Sequence, residues 1–177
     1  MIKVLGLDIS SSVVGWAIVD CSGSKPALLE HGNIKPPKSN KGSLTYRASE
    51  YYNYICSFLD EKKPDFVAIE AYANKFPRGR STARTIIVLS FFNELTSMAC
   101  LRTLGYEPEK YAVVTIRSQL SKLFGSRIVS KEDTFEYIKN NISGFVTNKN
   151  RNGKISKESY DEADAVAVAL AYFNKNK

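Results

Sequence analysis

The stretch that decides the fold is VLGLDISSSVVGWAIVD, residues 4–20. An apolar run ends on an acid, Asp8, three serines follow at Ser10 to Ser12, and an apolar pattern resumes from Val13. Short apolar segments rich in β-branched residues and broken by a polar patch predict two paired strands, over residues 2–8 and 13–19. The acid closing the first strand is the feature to explain, because an isolated buried charge is costly.

Working outward, a third strand is predicted within residues 27–34, which makes the opening a three-stranded meander. The segment KPPKSNKGS (residues 35–43) then forbids regular structure through its adjacent prolines and Gly42. Apolar positions Leu44, Ala48, Tyr51, Ile55, Phe58 and Leu59 recur at three and four, predicting an amphipathic helix closed by Pro64. The octamer DFVAIEAY (residues 65–72) reads as a central strand ending in a second acid, Glu70. After the loop NKFPRGRST, residues 82–104 predict a long helix apolar nearly all round, more than one sheet face can cover. A fifth strand is predicted over 111–116 and a short helix over 118–124. Another helix, over 130–141, is opened by the capping-box pattern Ser130 to Asp133, and a last one covers about 160–174. The polar, basic TNKNRNGKISK (residues 147–157) reads as a mobile loop.

Composition sets the frame. The 177 residues, 44% hydrophobic, predict one domain over 1–177 with a proper core. The formal charge of +7, from 25 basic and 18 acidic residues, suits a polyanionic partner or simply solubility. Cys21, Cys56 and Cys100 show no C-x-x-C spacing, so neither a disulfide framework nor a zinc cluster is indicated. There is no signal-peptide pattern, and no apolar stretch approaches the roughly 20 residues that span a bilayer. A soluble, cytoplasmic protein with no membrane partner is expected.

The acids carry the chemistry. Asp8 and Glu70 end buried strands, and the carboxyl edge of an α/β sheet is where ligand crevices form. The closing helix adds Asp161 and Asp164, three apart on one helical face, and its alanines let it lie close to the sheet. If that helix covers the first strand, four carboxylates converge; they repel one another unless divalent cations intervene. Oxygen-only ligands select Mg²⁺ or Mn²⁺, whereas the lone His31 sits in a strand region with an ordinary structural role. Two such metals would activate water for phosphodiester hydrolysis. Taken singly, Asp8 could cap a turn and Asp161 could sit in a helix first turn for its dipole. Together they point to a site. Two basic clusters adjoin these acids: Lys75, Arg78, Arg80 and Arg84 after Glu70, and Lys149, Arg151, Lys154 and Lys157 before Asp161. They are expected to flank the acidic cleft and hold DNA phosphates.

The order three strands, helix, strand ending in Glu, helix, strand and helices resembles the RNase H-like fold, an α/β architecture. Its five-stranded mixed sheet has three antiparallel and two parallel strands flanked by helices. GLDISSSVVGWAIVD, FVAIEAY and DEADAVAVALAY resemble the acidic motifs of RuvC-type Holliday-junction resolvases across essentially the whole chain, in a phage-like, divergent form. The resemblance implies a homodimer that nicks four-way DNA junctions, with two Mg²⁺ per active site, Mn²⁺ as a substitute and water as nucleophile. It makes Asp8, Glu70, Asp161 and Asp164 the metal ligands. It also implies a lysine near the scissile phosphate, here Lys131, with Lys122 and Arg127 as alternatives, and it places Tyr72 or Phe76 as wedges at the junction centre. The basic insertion 148–157 has no obvious counterpart in the family, which leaves sequence preference open.

Three other readings stand beside it. An actin-like or sugar-kinase ATPase also opens with a strand Asp, but needs two such domains and a glycine that DISSSVVG lacks. A plain RNase H or generic nuclease shares the metal logic and differs in motif wording. A non-catalytic branched-DNA-binding protein on the same fold predicts a missing carboxylate, and none is missing.

Overall fold

The computed structural model of the chain describes residues 1–38, 42–72 and 83–177. Strands β1 (Lys3–Asp8), β2 (Val14–Asp20) and β3 (Ala27–Ile34) form the expected antiparallel meander. The chain then crosses through α1 (Leu44–Lys62) to β4 (Phe66–Glu70), which pairs with β1 in parallel. A second crossover, α2 (Ala83–Leu104), leads to β5 (Glu109–Tyr111), parallel to β4. The sheet order is β3-β2-β1-β4-β5, the mixed five-stranded arrangement read from the sequence. Three helices follow: α3 (Val113–Phe124), α4 (Lys131–Asn141) and α5 (Lys157–Lys175).

Strand alternation divides the core. Leu5, Leu7, Ile18, Val67 and Ile69 point to one face and meet Tyr51, Ile55, Leu59 and Phe92 of α1 and α2. Val4, Ala17, Val19 and Ala68 point to the other and meet α3, α4 and α5. Helix ends follow local chemistry. Ser43 caps α1 by accepting from the Tyr46 N–H, and the helix stops at left-handed Lys63 just before Pro64. Ser130 and Asp133 form the predicted capping box of α4.

Helix α5 lies unusually close to the sheet. A Cβ on Gly15 would sit 2.0 Å from the Asp161 carbonyl oxygen, and one on Gly6 would sit 2.2 Å from that of Ala165. Only glycine permits those approaches, and the buried Ala165 and Ala169 meet Gly6 from the helix side.

Two expectations are corrected. The fifth strand ends at Tyr111, and Val113 to Ile116 belong to α3, with Ile116 and Leu120 buried at i and i+4. The β-branched run suggested a strand, but Ala112 is the extended N-cap residue and its carbonyl already accepts from Ile116. The loop expected over 147–157 ends one residue sooner. Lys149 and Ile155 form an antiparallel bridge around a turn with Gly153 at φ 73°, Asn150 binds across that turn, and Lys157 already starts α5.

Helix α2 is, by length and composition alone, long and apolar enough to cross a bilayer, contrary to the sequence expectation. It buries Phe92, Thr96, Ala99 and Cys100 against α1 and the sheet. Its outer side exposes Ile87, Phe91, Met98 and Leu101.

Candidate active site

Asp8 and Glu70 are the last residues of adjacent parallel strands whose preceding residues, Leu7 and Ile69, are paired. Both acids therefore stand at one carboxyl edge. The Asn93 side chain of α2 donates to the Glu70 carbonyl at 2.9 Å, which fixes the end of β4. Ser156 caps α5, and its first turns carry Asp161 and Asp164 over β1 and β2.

Ligand oxygens of Asp8, Asp161 and Asp164 lie within 4.8 Å of one another. Glu70 joins Asp8 and Asp164 in lining a cleft of about 210 Å³, together with Arg117, Lys131 and Thr134. The Lys131 Nζ sits 2.6 Å from Asp164 Oδ2 and 3.2 Å from Asp161 Oδ1. Lys122 and Arg127, the alternatives, are exposed and do not line this cleft.

The electrostatics are those of crowded acids. Burial, then the charges of Asp164 and Glu70, push the Asp8 carboxyl well above its ordinary value. Burial and Asp164 raise Glu70 to about 7. Burial also raises Asp164, against the pull of Lys131. Burial alone would lower the Lys131 ammonium, but Asp164, Asp8 and Asp161 hold it above its usual range. A compact set of carboxylate oxygens that resist ionising together suits a hard divalent cation, which favours their charged forms.

Arg117 escaped the sequence reading. It lies on α3 beside Ile116, donates to the Val129 carbonyl at 2.9 Å, and lowers the pKa values of Glu70 and Asp164. The signal was the helical spacing of Val113, Ile116, Arg117 and Leu120, hidden once residues 111–116 were read as a strand.

Among the proposed DNA contacts, Tyr72 is exposed just beyond β4, and Arg84 is exposed near the start of α2, in a groove with Arg47 and Ser43. Lys149, Arg151, Lys154 and Lys157 are exposed around the hairpin and the start of α5. None of these lines the acidic cleft. Lys75, Phe76, Arg78 and Arg80 lie outside the described residues.

The strand order and the acids at one sheet edge define an RNase H-like nuclease fold. No family model matches the chain. RuvC, the crossover junction endodeoxyribonuclease, of Finegoldia magna is 32% identical over 181 residues, covering 99% of this chain and 94% of that protein. RuvC of Prochlorococcus marinus is 25% identical over 173 residues, covering 98% and 97%. The solved Thermus thermophilus RuvC superposes with a TM-score of 0.70 at 19% identity, over 99% of this chain and 96% of that one. The chain belongs to the RuvC family of crossover junction endodeoxyribonucleases.

Proposed function

We propose that this chain is a Mg²⁺-dependent, cytoplasmic endodeoxyribonuclease that resolves Holliday junctions as a homodimer, with residues 1–177 forming one nuclease domain. The observation that carries the reading is the convergence of Asp8, Asp161 and Asp164, with Glu70 in the same cleft, in a chain of the RuvC family. The Thermus thermophilus relative has been solved in complex with Holliday junction substrate.

Asp8, Glu70, Asp161 and Asp164 are the residues that would hold two Mg²⁺, with Mn²⁺ as a substitute. Such ions neutralise charge on the scissile phosphate and lower the pKa of an attacking water. The chain's own groups complete the chemistry. Glu70, raised to about 7 in the metal-free cleft, would be held in its charged form by a bound cation. Lys131 and Arg117 set positive charge beside the acids, where it attracts a phosphate and stabilises charge developing on it.

Arg84, Lys149, Arg151, Lys154 and Lys157, exposed outside the cleft, are assigned to hold DNA phosphates, and Lys75, Arg78 and Arg80 are assigned the same role from their sequence positions alone. Tyr72 or Phe76 wedges against bases at the junction centre. The exposed apolar stripe Ile87, Phe91, Met98 and Leu101, at helical spacing on α2, supports pairing with a second copy across a twofold axis. Two cleavage sites would then face two symmetric phosphates.

The test is parallel cleavage of synthetic four-way junctions, flaps, linear duplexes and RNA–DNA hybrids with Mg²⁺, Mn²⁺ or a chelator, at several salt concentrations. Paired nicks confined to the junction, with either metal and not with chelator, are expected. Equal cutting of hybrid or linear duplex would move the chain to the general nuclease reading, and metal-free binding with no cutting would make it a binding protein.

A further inference from the structure

Glu162 lies between Asp161 and Asp164 in sequence but points the other way, into the seam between α5 and β3, where its side chain is 3% exposed. One carboxylate oxygen, Oε2, accepts from His31 Nδ1 at 2.6 Å, and the other, Oε1, accepts from the Asn33 side-chain amide. His31 Nε2 in turn accepts the Val146 N–H at 3.2 Å, which leaves Nδ1 to donate to Glu162. The ring also packs against Phe145, tilted by 33° with 4.8 Å between centroids. His31 and Asn33 share one face of β3, and Asn33 pairs with Gly15, the residue that touches the Asp161 backbone.

A polar cluster here is not needed for packing. Apolar contact already seats α5 on the sheet, through Ala165 and Ala169 against Gly6 and through Tyr172 stacked on Phe66 of β4, and a buried acid held by hydrogen bonds adds little stability over an apolar residue of equal size. The Asn33 Oδ1 is even left buried with no partner, because the amide must turn its N–H₂ toward Glu162. What the cluster does supply is direction. Where α5 crosses β1, contact through Ala165 and Ala169 against Gly6 offers few side chains that fix rotation or slide at that end of the helix. Two hydrogen bonds to Glu162, within the very turn that bears the acids, fix both.

We propose that Glu162, held by His31 and Asn33, is a positioning clamp that sets Asp161 and Asp164 against Asp8 and so determines the metal affinity of the site. The clamp also joins the site to the basic hairpin: Val146 is bonded to His31, and the Asn148 N–H donates to Ser159 Oγ on α5 at 2.8 Å. The inference rests on the reading of Asp161 and Asp164 as metal carboxylates.

Mn²⁺ titration followed by electron paramagnetic resonance, without DNA, tests it on the full chain, alongside thermal melting and junction binding in chelator. Glu162→Gln and His31→Leu are expected to weaken Mn²⁺ binding about 10- to 100-fold, with junction binding in chelator unchanged. His31→Gln, which keeps a donor toward Glu162, is expected to stay within about threefold of the parent. Val166→Ala, on the same helix but outside the clamp, controls for loosening of α5. Unchanged Mn²⁺ affinity in Glu162→Gln and His31→Leu overturns the clamp, as does an equal loss in Val166→Ala at matched melting temperature. Asp164→Asn separates the two readings: if it retains Mn²⁺ binding, the metal assignment fails; if it loses binding while the Glu162 and His31 variants keep it, only the clamp fails.

Discussion

Gly15 of β2 lies so close to α5 that a Cβ there would sit 2.0 Å from the carbonyl oxygen of Asp161 and 2.4 Å from its carbonyl carbon. The same strand position pairs with Asp8, so one glycine stands between two of the clustered acids. A methyl group at Gly15 has nowhere to go except by lifting the first turns of α5. Gly15→Ala is therefore expected to destabilise the protein by about 3 kcal/mol and to abolish cleavage. Gly23→Ala, whose nearest neighbour would be 3.5 Å away, is expected to fall within about 0.5 kcal/mol of the parent. Urea denaturation of both variants checks this, and parental stability in Gly15→Ala would contradict the close packing.

Asp8→Asn, Glu70→Gln, Asp161→Asn and Asp164→Asn are each expected to abolish cutting while leaving junction binding intact or stronger, because they remove metal ligands and repulsion toward phosphate together. Asp8→Asn should also raise the melting temperature of the metal-free protein, since the native site holds that carboxyl well above its ordinary value by burial and by the charges around it. Full activity in any two of the four would remove the site as assigned.

The raised values of Asp8, Glu70 and Asp164 predict an unusual stability profile without metal. A carboxyl that titrates near 4.5 when unfolded and about 7 when folded, as Glu70 does, binds more protons in the native state between those values. Its contribution to stability is present at low pH and is lost as pH rises through 7. In chelator the melting temperature should fall between pH 5 and pH 8, and added Mg²⁺ should raise it more at pH 8, where the ligands are ionised. Differential scanning calorimetry at both pH values decides; a Mg²⁺ effect larger at pH 5 would contradict it.

Arg117 lowers the pKa of Glu70, so its removal should move that group further up. Arg117→Ala is expected to reduce kcat/KM by about 100-fold and to shift the acidic limb of the pH profile to higher pH. Arg117→Lys, which keeps the charge, should shift the limb less. A pH profile unchanged in Arg117→Ala would show that the guanidinium does not act on the cleft.

The apolar stripe on α2 gives the last expectation. Ile87 and Met98 are 64% and 57% exposed, so an acid at either position should leave the fold intact while opposing association. Ile87→Asp with Met98→Asp is expected to be monomeric by light scattering at micromolar concentration, to bind Mn²⁺ like the parent, and to lose paired nicking of junctions. A parent protein that is itself monomeric under those conditions would count against the twofold pairing.

What the sequence determined by itself was whatever local chemistry specifies. The apolar runs ending at Asp8 and Glu70 placed two acids at strand ends, the three-residue spacing put Asp161 and Asp164 on one helix face, and Ser130 with Asp133 announced the start of α4. Period and capping are properties of neighbouring residues, so they survive without any knowledge of the rest of the chain. Tertiary packing decided the remainder. Val113 to Ile116 favour a strand by their own branching, yet became helix because Ile116 and Leu120 are buried together beneath α5, which carried Arg117 into the cleft. Glu162 reads in sequence as one more acid in an acidic turn. Its bonds to His31 and Asn33, about 130 residues away, exist only because Gly6 and Gly15 let a helix settle onto the strands, and no local pattern encodes a contact that depends on two elements approaching so closely.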